Sequence, residues 1–335
     1  MQQGLMALFA FVLLVGCSQP RLVELRGQTM GTTYSIKLPG APDAIEPQAL
    51  KAELDTLLVN INKQMSTYDP ESDLSRINQS AAGEWVTVPA ALVQVMLAAR
   101  EVFELTNGMF DPTIGPLVNI WGFGPQGPAQ FPEADSLNEA REKVGFARHV
   151  QIDADNNRIR KKRAGVYVDL SAIAKGYAVD VLAEHLAAKG LKDFMVEVGG
   201  ELRVSGNNPA GKPWRLAIES PTAGTRKVHG VVAVNNMAVA TSGDYRNFFE
   251  HDGKRYSHTI APNTGYPVSH QLVSATVLHA SAMQADALAT ALMVLGPEAG
   301  MRLAESEGLA VWLILRDEDK FRDIYSPEMR AYRVN

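Results

Sequence analysis

Cysteine is almost absent: Cys17 is the only one in 335 residues. A single thiol excludes an intramolecular disulfide and any metal site built from several thiolates. Charge is missing from the start of the chain, where the first sixteen residues carry no charged side chain and Met1-Gln2-Gln3-Gly4 has only its terminal amine. No apolar run is long enough to cross a bilayer as a helix. There is no Walker A sequence, no HExxH, no low-complexity linker and no fixed-period repeat. The one basic run, Arg160-Lys161-Lys162-Arg163, sits near Asp153 and Asp155, as on a decorated hairpin. With a net charge of −5, nucleic-acid binding has little support.

What is present begins with an unbroken apolar run over residues 5–15, ending in Leu14-Val15-Gly16-Cys17. That length suits a signal-peptide core, and a small residue directly before a cysteine suits lipid attachment. Acyl chains supply the membrane affinity that a short helix cannot. The expectation is a signal peptide over 1–16, a lipidated tether over 17–26 with Cys17 acylated, and a single body over 27–330. That body would be periplasmic and lipid-anchored. Ser18 lacks the Asp associated with inner-membrane retention, so both membranes stay open, with the inner one favoured. An ordinary secretory signal with an incidental cysteine is the competing reading. If Cys17 is acylated, no cysteine nucleophile remains.

Helical spacing runs over residues 46–66 through Leu50, Leu54, Leu57, Leu58, Ile61 and Met65, and again over 89–106 before Asn107-Gly108. Residues 111–132, rich in Gly, Pro and aromatics, read as an ordered loop. A helix is expected over 175–189, ended by Gly190. Strand patterns cover 194–204, Trp214–Glu219, 230–241, 271–278, 309–315 and a segment after Lys320. Helices are expected over Ala282–Leu295 and 298–307. Helices first, then mixed strands and helices, point to an α+β fold.

Several motifs carry chemistry. Gly122-Phe123-Gly124-Pro125-Gln126-Gly127 fits GxGxxG, but Trp121 before it and Pro125 and Pro128 after it deny the strand and helix that a dinucleotide fingerprint needs. Asp286 and Thr290 stand four apart in a helix and so share a face. Their hard oxygens suit Mg2+ or Ca2+. The structural alternative is a capping Asp286 and a Thr290 bonded back to a carbonyl. The run from Asp169 to Tyr177 joins a strand to a helix, with Ser171 as N-cap. The helix start and Lys175 would favour phosphate; the alternative is a capped helix with a surface lysine. Residues 241–247 and 255–260 flank a turn at 251–254 and read as hairpin arms. They carry His258, a candidate general base or a merely structural histidine. Tyr68 is a stacking platform or core.

Taken in order, these stretches resemble the ApbE family, whose members are FAD:protein FMN transferases, formerly described as thiamine-biosynthesis lipoproteins. The resemblance spans roughly residues 27–325 and rests on several segments. These are Met30-Gly31-Thr32, Met65 to Tyr68 through Asn78, Phe110-Asp111-Pro112-Thr113 through Gly124, Asp169 to Tyr177, and Val196 to Glu201. Ser242 to Asn247, Tyr256 to Ile260 and Asp286 to Thr290 complete it. It implies an α+β, T-fold-like architecture of mixed sheets with flanking helices and an FAD cleft between two intimate subdomains. It further implies Mg2+-dependent cleavage of FAD, transfer of FMN as a phosphoester to a Thr (sometimes Ser) of an acceptor protein, and release of AMP. Acceptors include membrane subunits of sodium-pumping NADH:quinone oxidoreductase and Rnf-type complexes. Carried onto this chain, the metal falls to the carbonyl oxygen of Ala172 with Asp286 and Thr290. FAD falls to Met30, Tyr68, Asn78, Met109, Phe110, Asp111, Asp169, Lys175 and Ile260, and the base is His258. An FAD pyrophosphatase and a non-catalytic flavin-binding lipoprotein stay open as alternatives.

Overall fold

The computed structural model describes residues 21–125, 131–222, 224, 227–245, 247–318 and 320–334. The expected signal segment, Cys17 and the end of the 122–127 glycine run lie outside the described residues.

β1 (Leu22–Thr29) and β2 (Thr32–Pro39) form a hairpin closed by Met30 and Gly31, both at positive φ (49° and 69°), as a two-residue primed turn requires. α1 (Pro47–Met65) buries Leu50, Leu54, Leu58, Ile61 and Met65 and is capped by the Glu46 side chain. Then come α2 (Asp73–Gln79), β3 (Val86–Thr87), α3 (Ala90–Leu105), α4 (Gly115–Ile120), α5 (Ala134–Arg141) and α6 (Phe146–His149). β4 (Val150–Asp153) and β5 (Arg158–Lys161) make the hairpin that carries the basic run, and Arg158 pairs with Asp153 across it. Next are α7 (Ala174–Ala188), β6 (Phe194–Val198), β7 (Glu201–Ser205), β8 (Trp214–Glu219), β9 (Val228–Val234) and β10 (Met237–Gly243). β11 (Phe248–His251) and β12 (Lys254–Ser257) precede β13 (Leu272–His279), α8 (Ala282–Leu295), α9 (Pro297–Ser306), β14 (Ala310–Asp317), β15 (Lys320–Tyr325) and β16 (Arg333–Val334).

Eight strands form one antiparallel sheet in the order β1-β2-β6-β7-β10-β13-β14-β15. α7 and α8 pack on one face, where alternate residues such as Tyr34, Ile36 and Leu38 turn into the main core. A three-stranded sheet, β16-β9-β8, covers part of the other face through Trp214, Leu216 and Ile218 against Val204, Val239 and Trp312. The fold is α+β. Among the described residues, no helix is long and apolar enough to cross a membrane.

Several local readings change. No strand precedes the Asp169 run, because residues 166–168 are irregular. The expected strand over 194–204 is two strands, because Gly199 and Gly200 (φ 61° and 108°) turn the chain back on itself. The stretch over 230–241 also divides, at Asn235-Asn236, and its halves join different sheets. The 111–132 loop contains α4, which has a proline in its first turn and buries Leu117 beside Trp121. Ser171 does not cap α7, which starts at Ala174; its hydroxyl instead donates to Asp169 (2.6 Å).

Candidate functional site

Asp286 is two per cent exposed in the middle of α8, a helix buried nearly all round. The helix N-cap is Ser281, so Asp286 does not cap it. The carboxylate of Asp286 faces the first turn of α7, where helix geometry leaves backbone N–H groups free. Gly176 donates its N–H to Asp286 Oδ2 at 3.0 Å. The approach depends on glycine: a Cβ at Gly176 would lie 2.2 Å from the carbonyl oxygen of Ala282. The anion site foreseen at this helix start is therefore held by a carboxylate of the protein itself.

Lys175 Nζ lies 3.5 Å from both Asp286 oxygens, 3.4 Å from Glu201 Oε1 and 3.4 Å from the Ser171 carbonyl. Desolvation opposes the charge on Lys175, but the two carboxylates outweigh it and hold the ammonium above its usual range. Burial pushes the Glu201 carboxyl up, against the pull of Lys175 and with a further push from Asp286. Among the described residues, Glu201 Oε2 is buried without a hydrogen-bond partner. Two buried carboxyl groups thus share one ammonium, with Glu201 held toward its neutral form and one of its oxygens orphaned.

A divalent cation, with more charge than Lys175 alone supplies, suits such a site. Among the described residues no three His, Cys, Asp or Glu side chains are grouped to hold a metal, so the donors must be mixed. Asp286, Thr290 and Ala172 line the same cavity and offer carboxylate, hydroxyl and carbonyl oxygens, the hard set that Mg2+ takes. The hydroxyl of Thr290 lies 2.9 Å from that of Ser242 on β10, not on a carbonyl of its own helix.

His258 follows β12. The carbonyl oxygen of Asn247 accepts from both its backbone N–H and its Nδ1, each at 3.1 Å. A carbonyl only accepts, so Nδ1 carries the proton and Nε2 keeps its lone pair. Burial lowers the pKa of His258, with the Asn247 carbonyl and Asp244 opposing and Lys175 assisting. The ribbon β11–β12 is held by aromatic contacts: Trp121 stacks on Tyr256 at 5.6 Å and meets Phe249 at 6.2 Å, while Phe123 meets the His258 ring edge-on at 6.3 Å. Burial raises the pKa of Asp244, whose Oδ1 has no hydrogen-bond partner among the described residues.

These groups surround a cavity of about 640 Å³. Tyr68, Met109, Phe110, Asp169 and Ile260 line it as well. Tyr68 is 71% exposed, so it borders the cavity and is not core. Asp111 also lines it, but its oxygens accept from Thr113 N–H (2.8 Å), Thr113 Oγ1 (2.5 Å) and Phe146 N–H (3.2 Å). Burial raises its pKa against those bonds. Asp169 accepts from the N–H and the hydroxyl of Ser171.

Two expected residues stand apart. Met30 is in the β1–β2 turn, partly buried against the core and outside the cavity lining. Asn78 is spent on structure: its amide donates to the Val168 carbonyl (2.8 Å) and accepts from Val168 N–H (2.7 Å), while Lys161 donates to its backbone carbonyl (2.6 Å). The residue passed over is Glu201. Its signal was an acid opening a strand directly after Gly199-Gly200, where its neighbours in the pattern are apolar.

An antiparallel α+β frame enclosing hard-oxygen donors, a half-buried ammonium and a tautomer-fixed histidine defines a group-transfer enzyme acting on a phosphate-bearing ligand. The chain belongs to the ApbE family, whose model matches residues 30–313. It is 45% identical over 334 residues to the FAD:protein FMN transferase of Vibrio cholerae, covering 99% of each chain. It is 41% identical over 325 residues to that of Haemophilus influenzae, covering 95% of this chain and 94% of the relative. The solved structure of the flavin transferase ApbE from Vibrio cholerae superposes with a TM-score of 0.87 at 44% identity, covering 93% of this chain and 99% of the other.

Proposed function

We propose that this protein transfers FMN from FAD to a threonine or serine hydroxyl of an acceptor protein, with Mg2+ required and AMP released. One observation carries the reading. A histidine with Nε2 left free to accept a proton lines the same cavity as the oxygen donors Asp286, Thr290 and Ala172.

In the forward step, His258 Nε2 takes the proton from the acceptor hydroxyl. The freed oxygen attacks the FMN phosphorus of FAD, its P–O bond forms, and the bond from that phosphorus to the bridging oxygen breaks, leaving on AMP. Tyr68 offers a ring face for stacking, and Met109, Phe110 and Ile260 offer apolar surface that positions the flavin end. Lys175 adds a fixed positive charge near the phosphates. Asp286, Thr290 and the Ala172 carbonyl would hold Mg2+, which offsets phosphate charge and stabilises the departing phosphate when bound. The body over 27–330 would work on the periplasmic side, anchored through Cys17 near membrane-embedded acceptors of the sodium-pumping NADH:quinone oxidoreductase or Rnf type.

The test mixes the protein with FAD, Mg2+ and a soluble acceptor domain from such a subunit. Mass spectrometry should show one added FMN on a single hydroxyl residue, with AMP in solution. FMN and AMP without a labelled protein would make the enzyme a pyrophosphatase. Tight FAD binding indifferent to Mg2+ and without turnover would make it a carrier.

A further inference from the structure

β8 is an edge strand. Its one partner among the described strands is β9; on its other side the Asn208 side chain meets the chain just before it, donating to the Pro213 carbonyl (2.9 Å). The register says which backbone groups that edge presents. Ala233 on β9 donates its N–H to Tyr332, away from β8. In an antiparallel ladder a residue turns both its backbone groups the same way and its neighbours turn theirs the other way. Ala233 pairs with Arg215 and Val231 with Ala217. The N–H and C=O groups of Arg215 and Ala217 therefore point outward, unpaired by any strand. Pro213, next in that alternation, has no N–H to waste there.

A groove of about 520 Å³ runs along this edge. Leu202, Leu216 and Ala217 line both the groove and the catalytic cavity, so the two adjoin along β8. The floor is the sheet face that the smaller sheet leaves partly open, with Met195 and Leu202 half-buried. The charged side chains lining the groove are Lys37 and Arg215, both basic, and neither has an ion-pair partner among the described residues.

We propose that the β8 edge is the docking track for the acceptor protein. Resting on the transferase reading above, an extended acceptor segment adds as a strand beside β8. Its backbone pairs with Arg215 and Ala217, an acidic residue meets Lys37 and Arg215, and the chain delivers its hydroxyl residue into the cavity. Strand addition supplies main-chain affinity while alternate side chains supply specificity. β8 lines the cavity from Leu216 to Glu219, about 3–13 Å beyond Arg215 at the usual rise of a strand. The acidic residue accordingly lies about one to four residues from the accepting hydroxyl.

The test uses the full protein and the acceptor domain of the transfer assay. Ala217→Pro removes one outward N–H without touching a β8–β9 bond, and Arg215→Glu reverses the charge. Each should raise the KM for the acceptor roughly tenfold, the effect of one lost hydrogen bond or charge contact at a partner surface. An acceptor with its acidic residue changed to lysine should recover on Arg215→Glu. Amide exchange at Arg215 and Ala217, read on the unmodified chain, should slow when the acceptor domain is added. Wild-type KM in both variants with unchanged exchange overturns the proposal. So does protection that needs no acceptor and grows with protein concentration, which assigns the edge to a second copy of this chain. Protection by the acceptor without FMN labelling keeps the docking track and overturns the transferase reading instead.

Discussion

Asp180 on α7 accepts the backbone N–H of Ala282 at the start of α8 at 2.9 Å. The same carboxylate accepts from Met283 N–H (3.0 Å), the Ser281 hydroxyl (2.7 Å) and Arg203 (2.6 Å). It is a cap supplied by a neighbouring helix, and Asp286 follows one turn further along. Asp180→Ala leaves two helix donors and a half-buried guanidinium without that acceptor. The expected loss is about 1–3 kcal/mol of stability, measured as a lower denaturant midpoint. Mg2+ affinity should fall with it, because α8 carries Asp286 and Thr290.

His258→Asn separates the base from its support. The asparagine amide can still donate to the Asn247 carbonyl, but nothing remains to take a proton. Transfer should slow on the order of 10²–10⁴-fold, while FAD affinity, read by fluorescence titration, stays near the wild-type value. The pH profile sharpens the point. The working form is the neutral imidazole, and burial holds the His258 pKa below its ordinary value of about 6.5. Activity is therefore present above that pKa and is lost as pH falls through it. The acid limb should lie below about pH 6.5 and be missing from the residual rate of the variant.

Asp286→Asn keeps an acceptor for Gly176 N–H and removes one charge. Lys175 and Glu201 are then left as a matched pair, so the fold should persist, with a denaturation midpoint close to wild type. Activity should fall by more than about 100-fold, beyond what losing a mere supporting group at a metal site costs. Added Mg2+ should not restore it. Wild-type turnover at ordinary Mg2+ would remove Asp286 from the site.

Tyr68→Ala should weaken FAD binding by about 1–3 kcal/mol if the ring stacks on the ligand. Tyr68→Phe should restore it. Since Tyr68 is largely exposed, the change should leave stability within about 0.5 kcal/mol. Calorimetric titration with FAD separates the two effects.

Much of this site can be read from the chain because its residues fall in long irregular runs. Asp286 and Thr290 are legible as a pair because helical spacing alone puts them on one face. His258 stands out by the polar crowding of its hairpin. Asn78 shows the limit of the sequence: an amide that clamps irregular backbone and an amide that binds a ligand look alike, and only the 2.7 and 2.8 Å bonds to Val168 show its side chain engaged. Glu201 was obscured because the strand was read straight through Gly199-Gly200. Once those glycines turn the chain, Glu201 opens a new strand facing α7. Ser171 is of the type that caps helices, but a local turn two residues back, where Asp169 accepts both its N–H and its hydroxyl, takes it first.

The ribbon β11–β12 stands outside the eight-stranded sheet, while Asp286 and Thr290 sit in its most buried helix. A lone two-stranded ribbon is marginal in water, and this one is retained by rings from Trp121 and Phe123. Such a ribbon can be lengthened, recharged or reshaped at little risk to the sheet, whereas α8 tolerates almost nothing, since even a methyl group on the facing Gly176 would collide with it. Variation around the cavity is therefore expected to accumulate in the ribbon, short of Asn247 and His258 at its base, with α8 and the facing turn of α7 held constant.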